Sequence, residues 1–165
     1  MPKRRLLGAT GRGLQQVLTV FAHSRLPIAA LSLGTAAGAF ELAVRHALRR
    51  STFGRRVAEH QAKAFEIAEH HAALEAARLV LWKACWRSDR GEDFREHSSI
   101  AKFLAVAAAR SVSGWAADLF GAASVMRGHP VHKYPMDAWA ASLGEGTQDI
   151  QKLVIAREVL KRFDR

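Results

Sequence analysis

The chain has 165 residues, about one domain, and a domain of that size buries roughly two-thirds of its unfolded surface without a disulfide or metal staple. Cys85 is its only cysteine, which excludes an internal disulfide framework and a cysteine-rich zinc site and fits a reducing, cytoplasmic setting. Lys and Arg number 25 against 15 acidic residues, a net charge of +10 that suits nucleic acid, an acidic membrane surface or phosphate-bearing small molecules and does not choose among them.

Residues 1–12 form a basic lead-in with no apolar run of signal-peptide length, and one domain is predicted over 13–165. Hydrophobic residues make up 49% of the chain, led by alanine, which is a helical composition. A first helix is predicted over 14–50, with Val17, Val20/Phe21, Ile28, Leu31, Leu42 and Val44 at its apolar positions. Pro27 predicts a kink or restart, with Ser24 as a possible cap for the second half. Its longest uncharged stretch, 26–40, is 15 residues long and carries Gly34 and Gly38, short of the ~20 that a membrane span needs. A second helix is predicted over 58–90 on the stripe Gln61/Phe65/Ala68/Ala72/Leu79/Trp82/Trp86. A third carries Ile100, Phe103/Leu104, Ala107, Val112 and Trp115 to Leu119. A loop over 121–130, a short helix over 134–143 and a last helix over 148–162, with Thr147 as N-cap and Asp149 in its first turn, complete the chain. No strand is predicted. The expected fold is all-α: an antiparallel, up-and-down four-helix bundle, whose long first two helices suggest surfaces for other domains or subunits.

Most site chemistries find no support. Di-iron bundles need Glu-x-x-His pairs, which do not occur, and adjacent helical residues such as His70 and His71 point about 100° apart, so no metal is expected. There is no Gly-x-Ser-x-Gly elbow, and Cys85 between Trp82 and Trp86 reads as a core cysteine. Nucleic-acid binding would rest on charge alone, without a helix-turn-helix pattern or a continuous basic stripe, and is not expected.

The informative segment is Gly144-Glu145-Gly146-Thr147-Gln148-Asp149-Ile150-Gln151, a carboxylate between two glycines at the start of a helix. Taken alone, a loop glutamate is most often merely solvated. The segment resembles the Glu-Gly-Thr-x-x-Ile-Gln motif near the end of acyl-CoA dehydrogenases, and Lys152-Leu-Val-Ile-Ala-Arg157 continues the likeness. Arg50-Ser-Thr-Phe53-Gly54 with Glu59-His60-Gln61 resembles that family's Arg-x-x-Phe-Gly…Gln block. Ser24-Arg25-x-Pro27, Ala101-Lys102 and Leu119-Phe120-Gly121 fall in the same order, so the resemblance runs over residues 8–161.

The resemblance implies an FAD-dependent α,β-dehydrogenation of an acyl-CoA or acyl-carrier thioester. It makes Glu145 the base that removes the α-proton and makes its backbone N–H one donor to the thioester oxygen. By the same likeness Thr147 and Gln151 contact FAD, and Arg50, Phe53 and Gln61 reach the FAD of a neighbouring subunit, Arg50 at the pyrophosphate. Arg25 matches an active-site arginine that faces substrate. A homodimer or tetramer is implied, and so is an N-terminal helical domain with a middle β-domain that these 165 residues do not contain. A separate chain supplying those domains is one arrangement, and alone this domain is expected to turn over nothing. Asp118, Ala122, Ser124, Met136 and Gly144 depart from the family pattern. They fit a pocket for a different acyl group or a drifting domain, and Asp118 and Ser124 speak for the alternative, a non-catalytic bundle of the same descent used for oligomerisation or partner binding, against which the retained Glu145 stands.

Overall fold

A computed structural model describes residues 3–164. Its helices are α1 (Gly13–Arg49), α2 (Gln61–Asp89), α3 (Arg95–Phe120), α4 (Tyr134–Leu143) and α5 (Gln148–Phe163). Short 3-10 turns cover Lys3–Arg5, Val57–Glu59, Gly121–Val125 and Pro130–Lys133. The long helices form an antiparallel four-helix bundle in which α3 is central and packs against each of the other four. Its largest interface is with α1.

That interface is built from alanine. Ala29, Ala36, Ala39, Ala43 and Ala47 of α1 face Ala101, Ala105, Ala109 and Ala116 of α3, and all are fully buried. Small side chains let helix backbones approach closely, and Leu33, Leu81, Val112 and Trp115 fill the remaining space. Because alanines make the core, the bulky apolar residues lie elsewhere. The predicted stripe of α2 is its outer face, with Phe65, Leu79, Trp82 and Trp86 between 55% and 62% exposed. The buried face is Leu74, Ala77, Leu81 and Ala84. On α1, likewise, Val17, Val20, Phe21 and Leu31 are exposed. Cys85 is half-buried rather than a core residue, and burial pushes its thiol pKa up.

Helix α1 runs through Pro27 without a restart. Pro27 and His23, whose carbonyl a residue at this place would bond, are both exposed, so the lost bond leaves no buried orphan. Ser24 is inside the helix and caps nothing. The richest 18-residue window of α1 has a mean hydropathy of 1.5, so by length and composition alone this helix could cross a membrane, which the uncharged stretch by itself did not suggest. In the bundle its alanine face is closed against α3. Thr147 sits at the N-cap of α5, yet its side chain makes no capping bond.

One pair of strands interrupts the helices. β1 (Ser51–Thr52) and β2 (Arg55–Arg56) are antiparallel, paired Ser51 to Arg56 and Thr52 to Arg55. Between them Phe53 and Gly54 take φ of 50° and 78°, the left-handed pair that a two-residue hairpin turn requires. Apolar periodicity carries no signal for a hairpin this short.

Candidate functional site at the Glu145 loop and the Arg50 hairpin

Glu145 is held from three sides. Its φ is +55°, a left-handed conformation that disfavours a side chain, and Gly146 follows at +90°. A Cβ on Gly146 would stand 3.0 Å from Ile150 Cγ2 and 3.2 Å from Gln151 Nε2, so the loop closes onto α5 only with glycine there. Fully buried Gln151 donates from Nε2 to the carbonyls of Glu145 (3.2 Å) and Gly146 (3.0 Å). Fully buried Lys102, about two turns into α3 on its core face, donates to the carbonyls of Gly144 and Gly146. The carboxylate accepts a hydrogen bond from Ser24 Oγ at 2.7 Å. The first amides of α5 lie just beyond, where the helix dipole favours negative charge.

Two buried cations face this carboxylate. Arg25, 5% exposed, donates from Nη1 to Ser99 Oγ at 3.1 Å, and its Nε is buried without a hydrogen-bond partner among the described residues. Burial lowers the Arg25 pKa and the Glu145 charge opposes that. Burial, and after it the Arg25 charge, pushes Lys102 down to about 8, while Glu145 pulls it back up. Two cations around one anion make a site in which further negative charge is welcome.

The second cluster lies at the far end of α1. Arg49 is 25 residues beyond Ser24 on the same helix, about 38 Å of helix axis. The hairpin is closed by Val57 N–H donating to Arg50 O at 2.8 Å. His60 ties it to the start of α2: its Nδ1 accepts from Arg55 Nε at 3.2 Å and its Nε2 contacts Thr52 O at 3.1 Å. Arg50, Thr52, Phe53, His60, Lys63 and Asp118 line an open groove of about 420 Å³. Phe53, at its lip, is 98% exposed, the reverse of a core phenylalanine. Gln61, the first residue of α2, is also exposed.

Sequence comparison assigns residues 11–160 to the family described as acyl-CoA dehydrogenase, C-terminal domain. The chain belongs to that family. It is 34% identical over 163 residues to the mitochondrial short-chain specific acyl-CoA dehydrogenase of Mus musculus, covering 99% of this chain and 40% of that protein. It is 36% identical over 161 residues to the cyclohexane-1-carbonyl-CoA dehydrogenase of Geobacter metallireducens, covering 98% of this chain and 42% of that one. Among solved structures, butyryl-CoA dehydrogenase from Megasphaera elsdenii superposes with a TM-score of 0.93 at 29% identity, over 97% of this chain and 42% of that chain. The chain thus spans about two-fifths of the length of the curated relatives it matches.

In this acyl-CoA dehydrogenase domain the predicted site residues fall into two groups. Arg25, Glu145, Thr147 and Gln151 lie at one end of the bundle, joined there by Ser24; at the other, Arg50 and Phe53 line the groove, whose lining does not include Gln61. Gln151 uses its amide nitrogen on the Glu145 loop, so it is a support of that loop in this chain. Arg25 is buried behind the carboxylate rather than presented at a surface. Lys102 and His60 stood inside the quoted motifs without a role. The signal for Lys102 was a lone charge on the buried face of α3, between Ala101 and Ala105. Among the described residues no group of three or more His, Cys, Asp or Glu stands within reach of one metal ion.

The residues fit a flavin dinucleotide. Arg50 supplies donors and charge for phosphates in the groove, beside Lys63, which is paired with Glu66 at 2.9 Å, and fully exposed Phe53 offers an aromatic face. The Thr147 hydroxyl makes no capping bond and is exposed at the N-terminus of α5. Asp118 adds one negative charge to the groove, set against Arg50 and Lys63.

Proposed function

We propose that this chain is the C-terminal part of an FAD-dependent acyl-CoA dehydrogenase, which α,β-dehydrogenates an acyl thioester with Glu145 as the base for the α-proton. The reading is carried by the held, left-handed Glu145 with its carboxylate beside Ser24. The Ser24 hydroxyl fixes one carboxylate oxygen and leaves the other for the Cα proton. As that proton moves to Glu145 its negative charge is lost, and negative charge grows on the thioester oxygen. The Glu145 N–H is the donor to that oxygen. FAD, when bound, supplies the acceptor for the β-hydride.

Arg50, Phe53 and Gln61 hold the dinucleotide of a neighbouring copy. The length of α1 between the two clusters supports this, because one dinucleotide does not reach from the Glu145 loop to the Arg50 groove of the same chain. The assembly is a homodimer or tetramer, and the exposed apolar face of α2 is surface available to it.

Two measurements test the reading. Glu145→Gln, in the enzyme completed with its N-terminal and middle domains, is expected to lose dehydrogenation by about 100-fold or more, and unchanged turnover overturns the base assignment. Titration of the purified chain with FAD, read by flavin fluorescence and light scattering, is expected to show saturable binding by a dimer or larger species. Binding that survives Arg50→Ala unweakened removes the groove from the flavin site.

A further inference from the structure

Lys102 is the largest side chain wholly inside the described structure, and an apolar side chain of its length would fill the same place on α3 without burying a charge. Its ammonium is not neutralised by a salt bridge. Both of its hydrogen bonds go to main-chain carbonyls, those of Gly144 and Gly146, one on each side of Glu145. Gln151 takes the carbonyls of Glu145 and Gly146 from the α5 side, so the Gly146 carbonyl is shared between two buried donors. The loop is thus gripped by its carbonyl oxygens, and the strained residue between the two lysine contacts is the one whose carboxylate meets Ser24.

We infer that Lys102 is a positioning residue for Glu145: it clamps the backbone on both sides, holds the left-handed conformation that aims the carboxylate at Ser24, and sets a buried positive charge against that carboxylate. The clamp is geometric; its consequence for proton abstraction rests on reading Glu145 as the base. The charged groups that bear on the Lys102 ammonium are Arg25, which disfavours it, and Glu145, which favours it. Burial together with Arg25 brings its pKa down to about 8, and Glu145 opposes that fall.

The test is a 15N NMR titration of the Lys102 side-chain nitrogen in the full chain and in its Glu145→Gln variant. The midpoint, near 8 in the parent, is expected to fall by about one pH unit when the carboxylate is neutralised, and an unmoved midpoint overturns the coupling. Amide exchange reads the clamp directly. Lys102→Met is expected to speed exchange at Gln151, whose N–H donates to the Thr147 carbonyl where the loop enters α5, with Lys102→Arg restoring protection in part; rates equal in all three chains overturn the clamp. If Lys102→Met does not fold, the Glu145→Gln titration still decides the coupling, because Lys102 is intact there, and exchange in Lys102→Arg against the parent still reads the clamp. The two readings fail separately. Undiminished turnover in Glu145→Gln enzyme, with exchange that Lys102→Met speeds, would leave the clamp and remove the base, whereas lost turnover with exchange equal in all three chains would do the reverse.

Discussion

Two residues with side chains take left-handed backbone conformations, Phe53 and Glu145, and they sit at the two ends of the candidate site. For a non-glycine residue that conformation costs of order 1–2 kcal/mol, so each is held against a local preference. Glu145 has visible supports in Lys102 and Gln151. Phe53 has only an edge-on approach to the His60 ring, 6.4 Å between centroids, and is itself 98% exposed. Phe53→Asn is therefore expected to raise the thermal midpoint, by about 2–4 °C per kcal/mol for a chain of this size, while weakening FAD binding. A variant that melts lower, measured by circular dichroism, would mean that the aromatic ring stabilises the hairpin after all. At this scale the candidate site was legible as two short contiguous blocks, Gly144–Gln151 and Arg50–Gln61, and through their likeness to the family rather than through residue type alone. The supports were not legible, because Lys102 meets the loop 42 residues away along the chain and nothing local marks that meeting.

Helix existence followed from composition, and α4 and α5 fall where their caps and breakers place them, but the buried faces did not follow from apolar spacing. Large apolar residues mark a core only when the core is made of large residues. Here α1 and α3 meet through alanines, which weigh little in any hydrophobic pattern, and the heavy residues of α2 are on its outer face. The same limit applies to Pro27. Breaking a helix is its usual effect, yet α1 continues because the residue and the carbonyl one turn before it are exposed. Pro27→Ala restores one backbone bond and removes no packing, and is expected to stabilise α1 by about 1–3 kcal/mol, read as a higher melting temperature. A lower one would show that the proline sets the local bend that brings Ser24, three residues earlier, to Glu145.

The response of the whole molecule to acid joins three helices, because His46 on α1, His70 on α2 and His97 on α3 are all held below the usual histidine pKa, in each case chiefly by burial. Nearby charges differ: Arg50 and His129 depress His46 further, Arg87 and Lys83 depress His97, and Glu66 and Glu69 partly relieve His70. Two of the rings also carry a buried nitrogen without a hydrogen-bond partner among the described residues, His46 Nε2 and His97 Nδ1. A histidine whose folded pKa is depressed takes up its proton more readily in the unfolded chain. Its stability contribution is therefore complete above about 6.5 and is lost as pH falls through the folded values. Net charge acts in the same direction, since a chain already at +10 gains further repulsion as its histidines and carboxylates protonate. Salt separates the two causes. Repulsion between exposed charges is screened within about 3 Å at 1 M salt, whereas the cost of charging a buried ring is not. Thermal midpoints measured from neutral pH down through about 5 are expected to fall at high salt nearly as much as at low salt, and His46→Gln is expected to flatten the slope. A decline that disappears in high salt would assign the acid sensitivity to net charge and leave the three histidines without a part in it.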